Sequence, residues 1–143
     1  MVSSDRHDWG TPQEFFNTLN AEFKFTLDVC ATAKNAKCKK YYTPTDNGLA
    51  QPWRGRCFCN PPYGREYPKW VRKAHRESKK GTPVIVLLLP ARTDTQVFHD
   101  YIWDAKKGCA RQGVEVRFLK GRLTFHGAPA PALFPSMVVI LRS

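Results

Sequence analysis

The chain has 143 residues, of which 42% are hydrophobic, and we expect one globular domain over 1–143 with no room for a separate target-recognition domain. No apolar run approaches the ~20 residues that a membrane-spanning helix needs, so the composition excludes a helical membrane protein. Lys and Arg outnumber Asp and Glu by 23 to 12, and the net charge of +11 favours a polyanionic partner over a merely basic surface.

The first predicted helix follows a capping box at residues 11–14, TPQE. In this box Thr11 is the N-cap and Pro12 takes the first helical position, so the helix should run to about Phe23. A strand is predicted next at 25–31, FTLDVCA, where apolar and β-branched residues dominate.

The later elements alternate between strands and helices. They are a strand at 56–59, a basic helix from Tyr67 ended by Gly81, an apolar strand at 83–90, a second capping box at 93–96, a helix over 97–108, and strands at 114–125 and 136–142. Between the last two strands, residues 126–135 form a Pro-rich segment that we expect to be an exposed loop.

Alternating strands and helices predict an α/β fold with a mostly parallel sheet, and such sheets bind ligands at the carboxyl ends of their strands. Three loops should therefore contribute to a site, namely those that follow Cys30, Cys59 and Leu89. Polar residues near these strand ends are Asp28, Asn60, Tyr63 and the segment 91–95.

The second of these loops opens with Asn-Pro-Pro-Tyr at residues 60–63. A turn is one explanation, because Asn before Pro favours turn initiation and neither Pro can donate a ladder hydrogen bond. The same pattern, Asn or Asp followed by two prolines and an aromatic residue, is also typical of enzymes that methylate amino groups. The motif alone leaves both interpretations open.

Eight stretches occur in one order along most of the chain: DWGTPQEFF, FTLDVCAT, NAKCKKYYT, DNGLAQPW, CFCNPPYG, LLPARTDTQVFH, GRLTF and FPSMVV. Together they resemble the phage-encoded DNA N6-adenine methyltransferases, a compact Dam-like family that uses S-adenosylmethionine. The resemblance implies a class I, Rossmann-like fold with a mostly parallel sheet closed by a C-terminal antiparallel hairpin. It also implies methyl transfer to the exocyclic amine of adenine in DNA, on a base swung out of the helix.

The resemblance further implies a set of cofactor-binding residues, with Thr11 and Pro12 at the methionyl end and Asp28 as the acidic residue of the first strand. The full set is Trp9, Thr11, Pro12, Asp28, Cys30, Ala31, Asp46 and Asn60. The loop after the first strand lacks the glycines that usually let backbone approach a cofactor. Asp46 is the candidate for the cofactor's ribose or adenine, although a simple turn at 46–48, DNG, explains it almost as well.

The expected catalytic residues are Asn60, Pro61, Pro62 and Tyr63. The exocyclic amine of adenine is a poor nucleophile because its lone pair is delocalised into the ring. The side-chain oxygen of Asn60 and the main-chain carbonyl of Pro61, held rigidly by the two prolines, would draw that lone pair towards the methyl group. An amide cannot usefully take a proton, so Asn60 argues against general-base catalysis, and Tyr63 would stack on the flipped base.

Four basic residues are candidate DNA contacts: Arg65, Lys69, Arg92 and Arg122. Arg65 and Lys69 belong to a basic helix whose charged face is explained equally well by solvation. Arg92 has an alternative role in a capping pair with Asp94, and Arg122 has one as a salt-bridge partner.

The cysteine pattern predicts neither disulfides nor a metal site. Five cysteines, an odd number, indicate reduced thiols, and buried thiols explain the spacing of Cys30, Cys38, Cys57 and Cys59 better than a zinc site does. The segment MVSSDRHDWG lacks the apolar stretch of a secretion signal, so we expect a cytoplasmic protein, in the bacterial host if phage-encoded. The oligomeric state is left open.

Two rival functions also fit the sequence. Enzymes that methylate RNA bases or protein glutamine side chains carry the same Asn-Pro-Pro-Tyr motif. A catalytically decayed, cofactor-free DNA-binding domain would explain the missing glycines.

Overall fold

The computed structural model describes residues 10–143, and within them a five-stranded sheet organises the chain. The strands of this sheet are β1 (Leu27–Asp28), β2 (Arg56–Cys59), β3 (Val84–Pro90), β6 (Val114–Phe118) and β7 (Ser136–Arg142). A separate hairpin consists of β4 (Trp103–Asp104) and β5 (Cys109–Ala110). The helices are α1 (Gln13–Phe23), α2 (Tyr67–Lys79) and α3 (Gln96–Tyr101), with a 3₁₀ turn at Gly48–Ala50.

The strand order of the sheet is β1-β2-β3-β7-β6. β1 pairs with β2 and β2 with β3 in parallel, whereas β7 lies antiparallel between β3 and β6. The prediction of an α/β fold is therefore confirmed, but a mostly parallel sheet is not, because the sheet is mixed. The reason is that no helix separates β6 from β7, and a loop without a helical crossover suffices for antiparallel neighbours.

The core is built around β3, all seven residues of which are buried. This explains its unbroken apolar sequence, because a strand covered on both faces has no polar side. Phe16 of α1 packs edge-on against Phe58 of β2 with 5.1 Å between ring centroids, and α2 contacts β3, β7 and α3. Among the helices within 10–143, none is long and apolar enough to cross a bilayer.

The helix predicted over 97–108 is wrong in its second half. α3 ends at Tyr101, and the chain then turns back in the β4–β5 hairpin. The Asp104 carboxylate accepts hydrogen bonds from the backbone N–H groups of Lys106 and Lys107, and Gly108 adopts φ +68°. These turn contacts outweigh the helical spacing of the apolar residues.

Two predicted strands are shorter than their apolar patterns. β1 pairs over Leu27–Asp28 rather than 25–31, because the chain bends where the Asp28 carboxylate accepts the N–H of Cys30. The strand expected over 114–125 ends at Phe118, and Gly121 then takes φ +77°. The Leu119 N–H still donates to the carbonyl oxygen of Ser136 in β7 at 3.1 Å, and the chain leaves the sheet after it.

Thr11 is not the N-cap that the TPQE pattern predicted. Pro12 holds that position, without a capping side chain, and its carbonyl oxygen accepts the N–H of Phe16 at 3.0 Å. The Thr11 hydroxyl instead accepts a hydrogen bond from Asn60 Nδ2 at 3.0 Å. The start of α1 is thus tied to the end of β2.

Candidate active site

Polar residues from three strand ends meet at one edge of the sheet. Asp28 ends β1, Asn60 follows β2, and Arg92 lies two residues after β3. Two cavities open here: the Asp28 cavity, lined by residues within 10–11, 28–49 and 58–70, and the Tyr63 cavity, lined by residues within 60–63 and 125–134 together with Arg92. Asn60 lines both cavities.

Asn60 is held at both ends of its side-chain amide. Its Nδ2 donates to Thr11 Oγ1 at 3.0 Å, and its Oδ1 accepts from the Tyr63 hydroxyl at 3.0 Å. The two partners lie 49 and 3 positions away in the sequence, so the contact with Thr11 depends on the tertiary fold. The amide between the two cavities is therefore oriented in advance.

The Asp28 cavity has a volume of about 270 Å³, close to the lower end of the usual range for small-molecule sites. The residues expected to bind a cofactor that line this cavity are Thr11, Asp28, Cys30, Ala31 and Asn60. Pro62 of the expected catalytic motif lines it as well. Most of the expected cofactor contacts are thus brought together in one place.

Asp28 is almost completely buried at the base of this cavity, with 2% of its surface exposed. Burial raises the pKa of its carboxyl group to about 7, although N–H donors from Cys30 at 3.3 Å and Lys37 at 3.0 Å favour the charged form. Burial also lowers the pKa of the Lys37 ammonium, which the Asp28 charge opposes. The Lys37 ammonium donates to Gln13 Oε1 at 2.9 Å, whereas only the backbone N–H of Lys37 contacts the Asp28 carboxylate. The cavity lining thus includes one acidic and one basic residue.

Lys37, Gly48 and Trp70 line the Asp28 cavity but were not identified from the sequence. A Cβ atom at Gly48 would lie 2.3 Å from the carbonyl oxygen of Val29, so only glycine lets this loop close against the end of β1. Methyltransferases usually have glycines in the loop after β1, where backbone comes close to the cofactor. In this chain the close backbone contact is made by the loop that contains Gly48. In the sequence, Gly48 belongs to DNG at 46–48. These residues begin DNGLAQPW, one of the eight stretches on which the family resemblance rests.

Trp70 contributes a donor that has no hydrogen-bond partner among residues 10–143. The residue is 7% exposed, and its ring stacks on Trp53 with 6.1 Å between centroids. Its Nε1 is buried without a hydrogen bond, a property shared within residues 10–143 by the Ser136 hydroxyl. An unpaired buried donor is destabilising, and Trp70 is also one of the residues that line the Asp28 cavity.

The Tyr63 cavity is larger, about 400 Å³, and has aromatic walls. The Tyr63 ring meets Phe125 and Phe134 edge to face, with centroid separations of 5.9 and 5.2 Å. The Arg92 guanidinium lies 5.8 Å from the Phe134 ring centroid. These walls suit a flat heteroaromatic ligand. Phe125 and Phe134 belong to GRLTF and FPSMVV, but no pattern in the sequence distinguished them from other buried aromatic residues.

Asp46 and Pro12 line neither cavity. Asp46 is exposed, and its carboxylate accepts hydrogen bonds from the backbone N–H and the hydroxyl of Thr43 at 2.9 and 3.1 Å. The structure therefore favours the turn explanation for Asp46 over the expected ribose contact. Pro12 is the N-cap of α1, and the expected contact at Trp9 lies outside the described residues.

The candidate DNA contacts fall into two groups, and all four side chains are exposed. Arg92 lines the Tyr63 cavity, and Arg122 Nη1 donates at 3.3 Å to the carbonyl oxygen of Ala132 in its wall. Arg65 precedes α2, and Lys69 on α2 pairs with the Glu66 carboxylate at 3.4 Å. Cationic groups thus lie on either side of the Asn-Pro-Pro-Tyr segment.

The cysteines near the site are neutral thiols. Burial raises the pKa of Cys30, that of Cys38 to about 11 and that of Cys57 to about 12, so none is a thiolate at neutral pH. In the part of the chain that the structure describes, no group of three or more His, Cys, Asp or Glu side chains is placed to hold a metal ion.

Comparison with known proteins gives a family and individual relatives. The family model described as DNA N-6-adenine-methyltransferase (Dam) matches residues 1–141. The chain is 36% identical over 107 residues to the DNA N-6-adenine-methyltransferase of Haemophilus phage HP1, covering 73% of this chain and 61% of that protein. It is 33% identical over 93 residues to the DNA N-6-adenine-methyltransferase of Escherichia phage T1, covering 63% and 38%. The match thus spans less than two thirds of either relative's length.

The Asp28 carboxyl is predicted to titrate near pH 7 in the ligand-free protein. Its folded pKa lies above the ordinary aspartate value, so the group is protonated below about pH 7 and ionised above it. Carbon-detected NMR of the side-chain carboxyl during a pH titration measures the midpoint, and the Asp28→Asn variant identifies the signal. A midpoint near the ordinary value for aspartate would contradict the prediction.

Proposed function

Because the chain belongs to the DNA N-6-adenine-methyltransferase (Dam) family, we propose that it transfers a methyl group from S-adenosylmethionine to the exocyclic amine of adenine in DNA. The observation that carries this proposal is the position of Asn60, whose side chain borders the Asp28 cavity and the Tyr63 cavity at once. A residue in that position can contact a ligand in each cavity. Methyl transfer between two bound molecules requires that their reacting atoms lie next to each other, which is possible where the two cavities adjoin.

We assign the Asp28 cavity to S-adenosylmethionine, which when bound supplies a methyl group activated by a positively charged sulfur. Asp28 would pair with the ammonium of its amino-acid end, and Lys37 with the carboxylate. Trp70 would donate its unpaired N–H to an acceptor on the same ligand. Three features of the cavity therefore match this zwitterionic, acceptor-rich cofactor.

We assign the Tyr63 cavity to the target adenine. The Tyr63 hydroxyl uses one acceptor position of Asn60 Oδ1, and a carbonyl oxygen offers a second to the adenine amine. The Pro61 carbonyl would accept the other amine hydrogen, because Pro61 also lines this cavity. These two acceptors direct the nitrogen lone pair out of the ring, and the amine proton leaves to solvent after transfer.

DNA is the proposed acceptor because cationic groups surround this cavity. Arg92 and Arg122 lie beside it, and Arg65 and Lys69 extend the basic surface along the start of α2. With a net charge of +11, the protein is suited to bind phosphates. The names of the phage relatives favour DNA over RNA or a protein glutamine.

We also propose that the sheet is an abbreviated Rossmann-like, class I methyltransferase sheet within one domain over 1–143. A doubly wound sheet has the strand order 3-2-1-4-5-6. If strands 2 and 3 of that order are removed, the remaining strands lie side by side in the order in which they occur along the chain. The neighbouring strands β1, β2 and β3 of this protein have that arrangement. A single cluster of buried side chains joins α1, the sheet and α2, which supports one domain.

The proposed function is tested by incubating the chain with S-adenosylmethionine carrying a labelled methyl group and with duplex DNA, single-stranded DNA, RNA or a glutamine-containing protein. We expect N6-methyladenine in digested DNA, identified by mass spectrometry, and no label in RNA or protein. Label confined to RNA or protein would overturn the DNA assignment. A decayed domain would transfer no label and would show no saturable heat when titrated with S-adenosylmethionine.

Variants at Asn60 and Tyr63 separate the two catalytic roles. Asn60→Ala should lower turnover ~10²-fold or more, as loss of a preorganised hydrogen-bonding group does elsewhere. Tyr63→Phe removes the hydroxyl that donates to Asn60 Oδ1 at 3.0 Å and lies 3.4 Å from the carbonyl oxygen of Leu88. A neutral hydrogen bond contributes ~0.5–1.5 kcal/mol, so this variant should lose about tenfold or less in rate. Tyr63→Ala also removes stacking, ~1–3 kcal/mol per base, and should weaken both DNA binding and rate. If Tyr63→Phe and Tyr63→Ala lost the same activity, the hydroxyl rather than the ring would be the group that matters for catalysis, and the stacking role would be wrong.

Trp70→Phe should weaken binding of S-adenosylmethionine by about tenfold or less, because one neutral hydrogen bond contributes ~0.5–1.5 kcal/mol. Isothermal titration calorimetry measures the dissociation constant. Trp103→Phe is the matched control, since Trp103 lies in β4 and lines neither cavity. An unchanged affinity in Trp70→Phe, or an equal loss in Trp103→Phe, would contradict the assignment.

A further inference from the structure

Leu133 is exposed to a degree that is unusual for a large apolar side chain. Within residues 10–143 its exposed fraction is 93%, compared with 56% for Phe118, the other exposed large hydrophobic residue. Single apolar residues occur on the surface of all soluble proteins, so exposure alone indicates no function. The location of Leu133 is what distinguishes it.

Leu133 stands at the rim of the Tyr63 cavity. It belongs to residues 126–135, the proline-rich loop, and lines the cavity with its neighbours Ala132 and Phe134. The ring of Phe134 packs against Tyr63, whereas the side chain of Leu133 extends into solvent. An exposed apolar group therefore lies at the entrance to the cavity that we assign to adenine.

The proline-rich loop holds Leu133 in this place. Three prolines within 129–135 restrict the backbone on either side of it. The carbonyl oxygen of Ala132 accepts from Arg122 Nη1 at 3.3 Å, and its N–H donates to the carbonyl oxygen of Leu123 at 2.8 Å. The prolines and the hydrogen bonds of Ala132 thus restrict the backbone that holds Leu133 in its exposed position.

Positive charge flanks the same rim. Arg92 lines the cavity with its guanidinium 5.8 Å from the Phe134 ring centroid, and Arg122 donates to the carbonyl oxygen of Ala132. A DNA duplex presents phosphates on its outside and an apolar stack of bases within. The exposed apolar side chain of Leu133, whose two chain neighbours each contact an arginine, complements that arrangement.

We propose that Leu133 is a wedge that enters the base stack beside the target adenine and fills the space left when that adenine moves into the Tyr63 cavity. This inference rests on the proposed function. Taking a base out of a duplex costs its stacking and pairing, and apolar wedges, leucine among them, are inserted between base steps by other DNA-binding proteins. Entry into the stack would also remove the exposed Leu133 side chain from water.

The test compares Leu133→Ala with the unmodified chain on three oligonucleotides that the unmodified chain methylates. One carries adenine paired with thymine, the second carries the same adenine opposite an abasic site, and the third is single-stranded. We expect Leu133→Ala to lower kcat/KM about tenfold or more on the paired duplex and about twofold or less on the other two, where little or no pairing must be broken. A 2-aminopurine at the target position should show a smaller fluorescence increase with this variant on the paired duplex.

Two further variants control for the loss of an apolar surface group. Phe118→Ala removes the other exposed apolar side chain and should leave all three rates within about twofold, and Leu133→Met should keep most of the activity on the paired duplex. Equal losses for Leu133→Ala on all three substrates, or no loss on the paired duplex, would overturn the wedge. Absence of methyl transfer by the unmodified chain would instead overturn the proposed function, and the wedge with it.

Discussion

Pro61 and Pro62 impose the constraint on which the site depends. Neither can donate a ladder hydrogen bond, so β2 ends at Cys59 and Asn60 leaves the sheet at its carboxyl edge. The freed amide then bonds to Thr11 and to Tyr63, and Tyr63 packs against aromatic residues of the C-terminal loops. One short motif thus joins the start of α1, the end of β2 and the wall of the second cavity.

Several features of the site are costly in the ligand-free protein. Asp28 is buried with a raised pKa, the buried N–H of Trp70 has no partner in the described part of the chain, and Leu133 exposes most of its side chain to water. In the proposed function, each cost would be relieved by the ligand assigned to its surroundings: a cation, a hydrogen-bond acceptor and a base stack. Proteins commonly carry such local conflicts at functional sites, where binding compensates for them.

The sequence predicted the parts of this arrangement that local signals encode. An apolar run gives β3, a basic amphipathic stretch gives α2, and the consecutive prolines place Asn60 at a strand end. The parallel pairing of β1, β2 and β3 and the antiparallel pairing of β6 with β7 agree with the expectation. The position of β7 between β3 and β6 was not predictable, because it depends on contacts far apart in the chain. For the same reason Thr11 was mistaken for a helix cap.

Cavity walls were the least predictable part of the site. Lys37 and Gly48 lie in irregular segments without periodicity, and their role appears only when the loops close over β1. Trp70 carries a helical pattern that indicates burial but not that its N–H lacks a partner. Periodic patterns report which face of an element is buried, whereas a ligand site depends on which atoms are left unsatisfied there.

The central claim is that Asn60 separates a cofactor site from a base site. A crystal structure of the chain with a non-reactive analogue of S-adenosylmethionine and a methylatable DNA duplex tests it most directly. We expect the analogue in the Asp28 cavity and an unstacked adenine in the Tyr63 cavity, with Asn60 in contact with both. An analogue bound in the Tyr63 cavity, or an adenine held in place by residues remote from Asn60, would contradict it.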